Sequence, residues 1–310
     1  IYPIPYIMIH EKISSEVIEM ERQEQKKKRP IEGQADEFVN SFPIQKVKVD
    51  DIEIEYKIIG PERGKPIIFV PGLKVTMDMW EPIILKALAL SDYGVIVFNN
   101  RGTGGSSIGD KEYSIGQLAN DAAGLLDALS INRADVLGWS MGSYIAQDLA
   151  LIHPSKVNDL ILYGSGPGGE KAIPSNPQLM QTLNNISGTP EEQARQVLSL
   201  FFPQVWLQQN PDYANHFPLL KGTLSLENVQ KQAQAIINWK GTYDSPSQIS
   251  QPTLVLVGTE DVITTPKASL YLLEKIPLVW LVQIRGAGHG WMYQYPEKFS
   301  KVIRTFLEIN

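Results

Sequence analysis

The chain has 310 residues, 43% hydrophobic and 20% charged, with a formal net charge of −6 and no cysteine. That composition fits one large α/β domain or two small ones, and it excludes disulfides, thiolate metal sites and a cysteine nucleophile. The acidic balance argues against nucleic acid as a partner, and no apolar run approaches the ~18 residues that a membrane-spanning helix requires.

Residues 1–43 read as an N-terminal extension. Its tip, "IYPIPYIMI", is apolar but broken by Pro3 and Pro5. The chain starts at Ile1 rather than Met, so the expectation is a processed, trimmed or excised chain. A cytoplasmic location is the default and an exported form stays open. The next stretch, "EKISSEVIEMERQEQKKKRP", places Ile13, Val17 and Met20 at helical spacing, and Pro30 stops that helix. The run Lys26–Arg29 is expected to be a solvated helix C-terminus, where cations suit the macrodipole. Contact of this extension with a membrane surface is the alternative. The extension is expected to dock, on its own body or on another chain.

From residue 44 the pattern becomes regular. "IQKVKVDDIEIEYKII" alternates about Asp50-Asp51 and predicts an antiparallel hairpin. "PIIFVPG" and "YGVIVFNNRG" are continuous apolar runs ending in glycine, as buried parallel strands do. "MWEPIILKALALS" reads as the helix between them. A further helix over 114–130 puts Leu118, Ala122, Leu125, Leu126 and Leu129 on one face, with Ser114 as N-cap. The strand "ADVLGWS", a helix and the strand "VNDLILYGSG" follow. Residues 167–250 hold no good strand, only proline-punctuated helical segments with aromatics expected to be exposed: Phe201, Phe202, Trp206, Tyr213, Phe217 and Trp239. Alternation resumes with "PTLVLVGTED", a helix near 267–276, the strand "LVWLVQIRGAGHG" and a closing helix. The pattern is a mostly parallel, doubly wound α/β sheet with a helical insertion. The expected units are the extension (1–43), a core (44–166 and 251–310) and a helical cap (167–250).

The chemistry gathers at "GWSMG". A strand ends at Ser140 and a helix starts at Met141, so the serine occupies a turn too tight for side chains two residues away. Gly138 and Gly142 stand there. The geometry would expose Oγ at a helix N-terminus, which favours developing negative charge. A serine needs a base. Of the four histidines, His289 follows a strand in the small-residue loop "GAGHG" and is the candidate. His153 ends a helix and reads as structural; His10 and His216 read as surface or packing residues. The base needs an orienting carboxylate. Asp261 in "VGTEDVITTP" is the natural choice, with Glu260 beside it as the alternative. Two backbone N–H groups must hold the oxyanion: Met141, after the nucleophile, and Leu73, since Pro71 cannot donate. "NNRGTGGSS" lacks the features of a phosphate loop and reads as a structural turn.

Together "FVPGL", "RGTGGSS", "GWSMGS", "GTEDVITTP" and "GAGHG" resemble the α/β-hydrolase superfamily over residues 44–310. Within it, the chain is similar to the small esterase, enol-lactonase and cofactor-free haloperoxidase-like enzymes. It departs from the family pattern at Pro71-Gly72, where His-Gly is common, and at Asn99-Asn100-Arg101-Gly102, where Asp-x-Arg-Gly is common. Ser140 argues against the family members that use an aspartate nucleophile, the dehalogenases and epoxide hydrolases. The resemblance implies a serine hydrolase that acts on an ester, lactone or thioester through Ser140, His289 and Asp261, without cofactor or metal. The aromatics of 167–250, with Trp139, Met77 and Trp80, are expected to line a pocket for a small substrate with an apolar portion. The rival readings are a carbon–carbon bond hydrolase or lyase, a slow or non-hydrolytic ligand sensor on the same fold, and a membrane-peripheral or partner-binding protein.

Overall fold

The computed structural model describes residues 6–8, 33–169, 189–211, 213 and 225–310. Its strands are β1 (Tyr6–Met8), β2 (Gln45–Val49), β3 (Ile52–Ile59), β4 (Lys65–Val70), β5 (Tyr93–Phe98), β6 (Ala134–Trp139), β7 (Val157–Tyr163), β8 (Thr253–Gly258) and β9 (Val279–Ile284). The helices are α1 (residues 33–40), α2 (Pro82–Ala89), α3 (Ile115–Ala128), α4 (Met141–Ile152), α5 (Pro190–Phe201) and α6 (Gln204–Gln209). They continue with α7 (Leu226–Asn238), α8 (Pro266–Lys275), α9 (Trp291–Gln294) and α10 (Pro296–Ile309).

The strands form one sheet in the order β1-β9-β8-β7-β6-β4-β5-β3-β2. Only the β2–β3 and β3–β5 pairs are antiparallel. The hairpin turns where expected, with Val49 opposite Ile52 and Asp50 at φ 52°. Every residue of β5, β6 and β8 is buried, which is why these strands read as unbroken apolar runs. Successive residues face opposite cores. Ile68, Val70, Val136 and Leu160 pack with α3, α4 and α8, while Ile67, Phe69, Leu137 and Ile161 pack with α2 and α10. Each such side chain contributes about 1.5–3 kcal/mol on leaving water. Ser114 caps α3, its Oγ accepting from Gln117 N–H at 3.1 Å.

Chain order reverses beside β4, which has β5 on one side and β6 on the other. In open α/β sheets such a switch point leaves a crevice at the carboxyl ends of the strands. Ser140 lies at that edge, after β6.

The sheet does not begin at residue 44. β1 pairs in parallel with β9, Tyr6 opposite Leu281. Phe38 and Phe42 stack edge-to-face at 5.3 Å against the core, with Ala35 buried. These parts of the extension are therefore seated on the chain's own body. The helix expected over Ile13–Met20, the Lys26–Arg29 run, His10, His216 and Phe217 lie outside the described residues.

Between β7 and β8, the described residues hold α5, α6 and α7 and no strand. Their aromatics depart from the expectation of exposure. Phe202 and Trp206 are buried, and Phe201, Tyr213 and Trp239 are half-buried. Phe202 stacks on Trp206 at 4.9 Å, and Tyr213 meets both edge-on. The Phe201 ring packs edge-on against Trp139, the last residue of β6, while Trp239 stacks on Tyr144 of α4.

Candidate active site

Ser140 has φ 56° and ψ −121°, a conformation that non-glycine residues avoid. Holding it costs about 1–3 kcal/mol, which the surroundings must supply. Ser140 N–H donates to Tyr163 O at 2.9 Å, and Ser143 N–H donates to Ser140 O at 2.8 Å. A Cβ at position 138 would overlap the Gly142 carbonyl, and one at 142 would overlap the Val70 carbonyl. The two glycines are thus demanded by backbone approach, and the tight turn stands Ser140, half-buried, at the start of α4.

The loops after β8 and β9 bring Asp261 and His289 together. His289 Nδ1 lies 2.8 Å from Asp261 Oδ2, with both residues buried. Asp261 Oδ1 accepts from the backbone N–H groups of Ile263 (2.9 Å) and Thr264 (2.8 Å). With Oδ1 taken up by these two donors, Oδ2 faces Nδ1, and Nε2 is the ring nitrogen left clear of Asp261. Glu260 is exposed and makes no such contact. Among the described residues, Ser140 Oγ and His289 Nε2 share no hydrogen bond.

Gly164, at φ 57°, closes the space behind the imidazole. A Cβ there would lie 2.8 Å from His289 Cε1 and 3.1 Å from Nδ1. Tyr163 supports the same loop: its hydroxyl donates to His289 O at 2.5 Å and accepts from Met292 N–H at 3.2 Å. Burial pushes that phenol well above its ordinary pKa. From α5, Phe201 O accepts Gly290 N–H at 3.0 Å, and the Phe201 ring lies edge-on to His289 at 5.6 Å.

The expected oxyanion donors sit around the elbow. Met141 N–H is at the first position of α4, where no intrahelical acceptor exists. Gly72 approaches so closely that a Cβ would meet Trp139 O at 2.9 Å and Ser140 Cβ at 3.3 Å. Leu73 follows it, and no described residue accepts its N–H. Of the expected pocket residues, Trp139 is buried, with its ring 5.8 Å from the His289 ring. Met77 and Trp80 are buried in the core beneath, Trp80 being 5.9 Å from Trp139.

The other motifs are structural. Arg101 is buried, donating to Asp121 from Nε (2.6 Å) and Nη2 (2.7 Å) and to Asp51 (3.2 Å). It clamps the "NNRG" turn between α3 and the hairpin. His153 ends α4 with Nε2 2.8 Å from Asn120 Oδ1. Among the described residues no group of three or more His, Asp or Glu could hold a metal, and no helix is long and apolar enough to cross a membrane.

A family model described as the alpha/beta hydrolase fold matches residues 65–294. The chain belongs to the alpha/beta hydrolase fold family. Among its relatives is "Putative carbamate hydrolase RutD" of Azorhizobium caulinodans, 26% identical over 266 residues that cover 83% of this chain and 95% of that protein. Another is 3-oxoadipate enol-lactonase 2 of Acinetobacter baylyi, 26% identical over 262 residues, covering 83% and 94%. A solved alpha/beta hydrolase fold protein from Chitinophaga pinensis superposes with a TM-score of 0.74 at 28% identity, over 86% of this chain and 98% of that one. The matched region spans Ser140, Asp261 and His289, so all three stand within the hydrolase body.

Proposed function

We propose that this alpha/beta hydrolase cleaves a carboxylic ester, lactone or thioester through an acyl-enzyme formed on Ser140. The observation that carries the reading is the buried His289–Asp261 pair at 2.8 Å, on the loops of adjacent strands, beside a serine held at positive φ. His289 Nε2 takes the Ser140 proton as Oγ adds to the carbonyl carbon, and Asp261 stabilises the imidazolium. The carbonyl electron pair moves onto oxygen, where the N–H groups of Met141 and Leu73 receive it. Collapse expels the leaving group, protonated by His289, and a water activated by the same nitrogen then frees Ser140. The Oγ–Nε2 hydrogen bond closes as substrate binds.

The segment 167–250 acts as the cap. Phe201, Phe202, Trp206 and Tyr213 bring an aromatic wall towards His289, which suits a small substrate with an apolar portion. The named relatives, one a lactonase and one carrying a carbamate hydrolase name, support acyl-group chemistry at this site. The test is labelling by an alkyl fluorophosphonate together with hydrolysis of short-chain p-nitrophenyl esters. Labelling is expected on Ser140, with both activities gone in Ser140→Ala. A Ser140→Ala protein that still hydrolyses the ester would sink the nucleophile assignment.

A further inference from the structure

α7 buries two side chains, Ala235 and Gln232, and Gln232 is the polar one: only 1% of it is exposed. A primary amide is tolerated in such a place when its acceptor and donors are met. Two loops meet them here. Oε1 accepts Lys74 N–H at 2.9 Å, and Nε2 donates to Thr103 Oγ1 at 2.9 Å. A backbone N–H can only donate, so the orientation of the amide is determined. One turn earlier on α7, Asn228 Nδ2 donates to Gly102 O at 2.8 Å. Tyr113, whose hydroxyl donates to Arg101 O at 3.1 Å, lies against the same amide.

The loop held in this way is the one that presents Leu73. Val75 N–H donates to Gly72 O at 3.3 Å, and Lys74 has φ 62°. That is the type II turn pattern, with Leu73 second and Lys74 third, the position that calls for glycine. A lysine stays there only where its surroundings over-determine it. Lys74 N–H belongs to the central peptide of the turn, whose half-rotation would convert type II into type I. Its acceptor is Gln232.

We propose that Gln232 is a positioning residue for the oxyanion site. Through the Lys74 N–H it pins the 72–75 turn, and so holds in place the neighbouring Gly72–Leu73 peptide, whose N–H faces the oxygen that gains charge when Ser140 adds to the carbonyl. Gln232 touches no reacting atom; it ties the cap helix to a donor that works only in the transition state. The inference rests on the hydrolase reading above.

Two substitutions in the full chain separate this role from simple packing. Gln232→Met keeps the length and bulk but offers Lys74 no acceptor. Gln232→Glu keeps the acceptor, with the Thr103 hydroxyl turning to donate. With p-nitrophenyl acetate, Gln232→Met is expected to lower kcat about 10- to 100-fold with KM changed less than about twofold, while Gln232→Glu stays within about threefold of wild type. Fluorophosphonate labelling of Ser140 should slow in parallel. Adding Lys74→Gly to Gln232→Met should recover most of the loss, because glycine holds the left-handed turn unaided. Wild type labelling at Ser140 with Gln232→Met labelling as fast leaves the hydrolase standing and overturns this proposal alone. An equal fall in both Gln232 variants, with no recovery by Lys74→Gly, also overturns it. Wild-type protein that neither hydrolyses nor labels removes the hydrolase reading and this proposal with it. Should Gln232→Met fail to fold, amide exchange on wild type decides: a protected Lys74 N–H supports the lock, and exchange at the rate of an open turn overturns it.

Discussion

Asp261, after β8, meets three hydrogen-bonding partners: the N–H groups of Ile263 and Thr264 and the imidazole of His289. Asp148, on the helix that starts at the elbow, is half-buried and accepts from Trp239 Nε1 at 3.1 Å. Burial pushes Asp148 up to about 6 from 3.8, and the indole N–H offsets only part of that. Asp159, at the amino end of β7, is likewise raised to about 6 by burial, with the neighbouring Asp135 adding to the rise. A buried carboxylate is therefore no mark of a working site in this molecule. What sets Asp261 apart is that two donors arrive from the backbone of its own loop, so the carboxyl is fixed beside His289, as the proposed mechanism requires.

Removing the provisioned acid should have the largest effect. Asp261→Asn leaves the loop in place but lets the wrong ring nitrogen carry the proton, and kcat for p-nitrophenyl acetate should fall by about 10⁴-fold; steady-state kinetics on the variant checks it. Crowding the imidazole comes next. Gly164→Ala places a methyl 2.8 Å from His289 Cε1 on a backbone at φ 57°, and a displacement of the ring should cut kcat about 100-fold. If Gly164→Ala were as active as wild type, His289 would not be held where the structure puts it.

The under-provisioned acids should respond in the opposite sense, in stability rather than in rate. The folded-state pKa of Asp148 lies above 3.8, so folding takes up a proton between about pH 4 and 6. Stability from this group is present below that window and is lost as pH rises through about 6. Asp148→Asn lacks the titration, so it should gain on wild type by about 1–3 kcal/mol between pH 4 and 8 in urea unfolding. Asp159→Asn should behave alike. A constant difference across that range would remove the contrast with Asp261. The smallest effect belongs to Trp239→Phe. Without the indole donor, Asp148 is raised further, so the pH at which stability falls should move up by less than about one unit.

The elbow and its partners were legible because their requirements are local. Gly138 and Gly142 are forced by carbonyls at Gly142 and Val70, and Asp261 and His289 stand at the ends of strands that read as buried runs. The supports were not legible, because each acts across a long stretch of chain. Gln232 meets Lys74 at a separation of 158 residues, and Tyr163 meets His289 at 126. A buried glutamine on a polar helix looks like any surface residue until the helix is docked. The aromatics of α5 and α6 read as exposed for the same reason: on proline-punctuated segments with no partner in view, nothing in the sequence shows what covers Phe202 and Trp206. β1 escaped because Pro3 and Pro5 masked a strand of three residues that borrows all its pairing from β9.

The contacts from Gln232 and Phe201 bear on how this scaffold could be re-engineered. Segments between β7 and β8 are attractive pieces to exchange among alpha/beta hydrolases, since the chain leaves and re-enters the sheet on neighbouring strands. Here that segment also donates an acceptor to the turn bearing Leu73 and a carbonyl to the loop bearing His289. A chimera that imports another cap would leave the Leu73 turn and the His289 loop each without one anchor unless those two contacts travel with it.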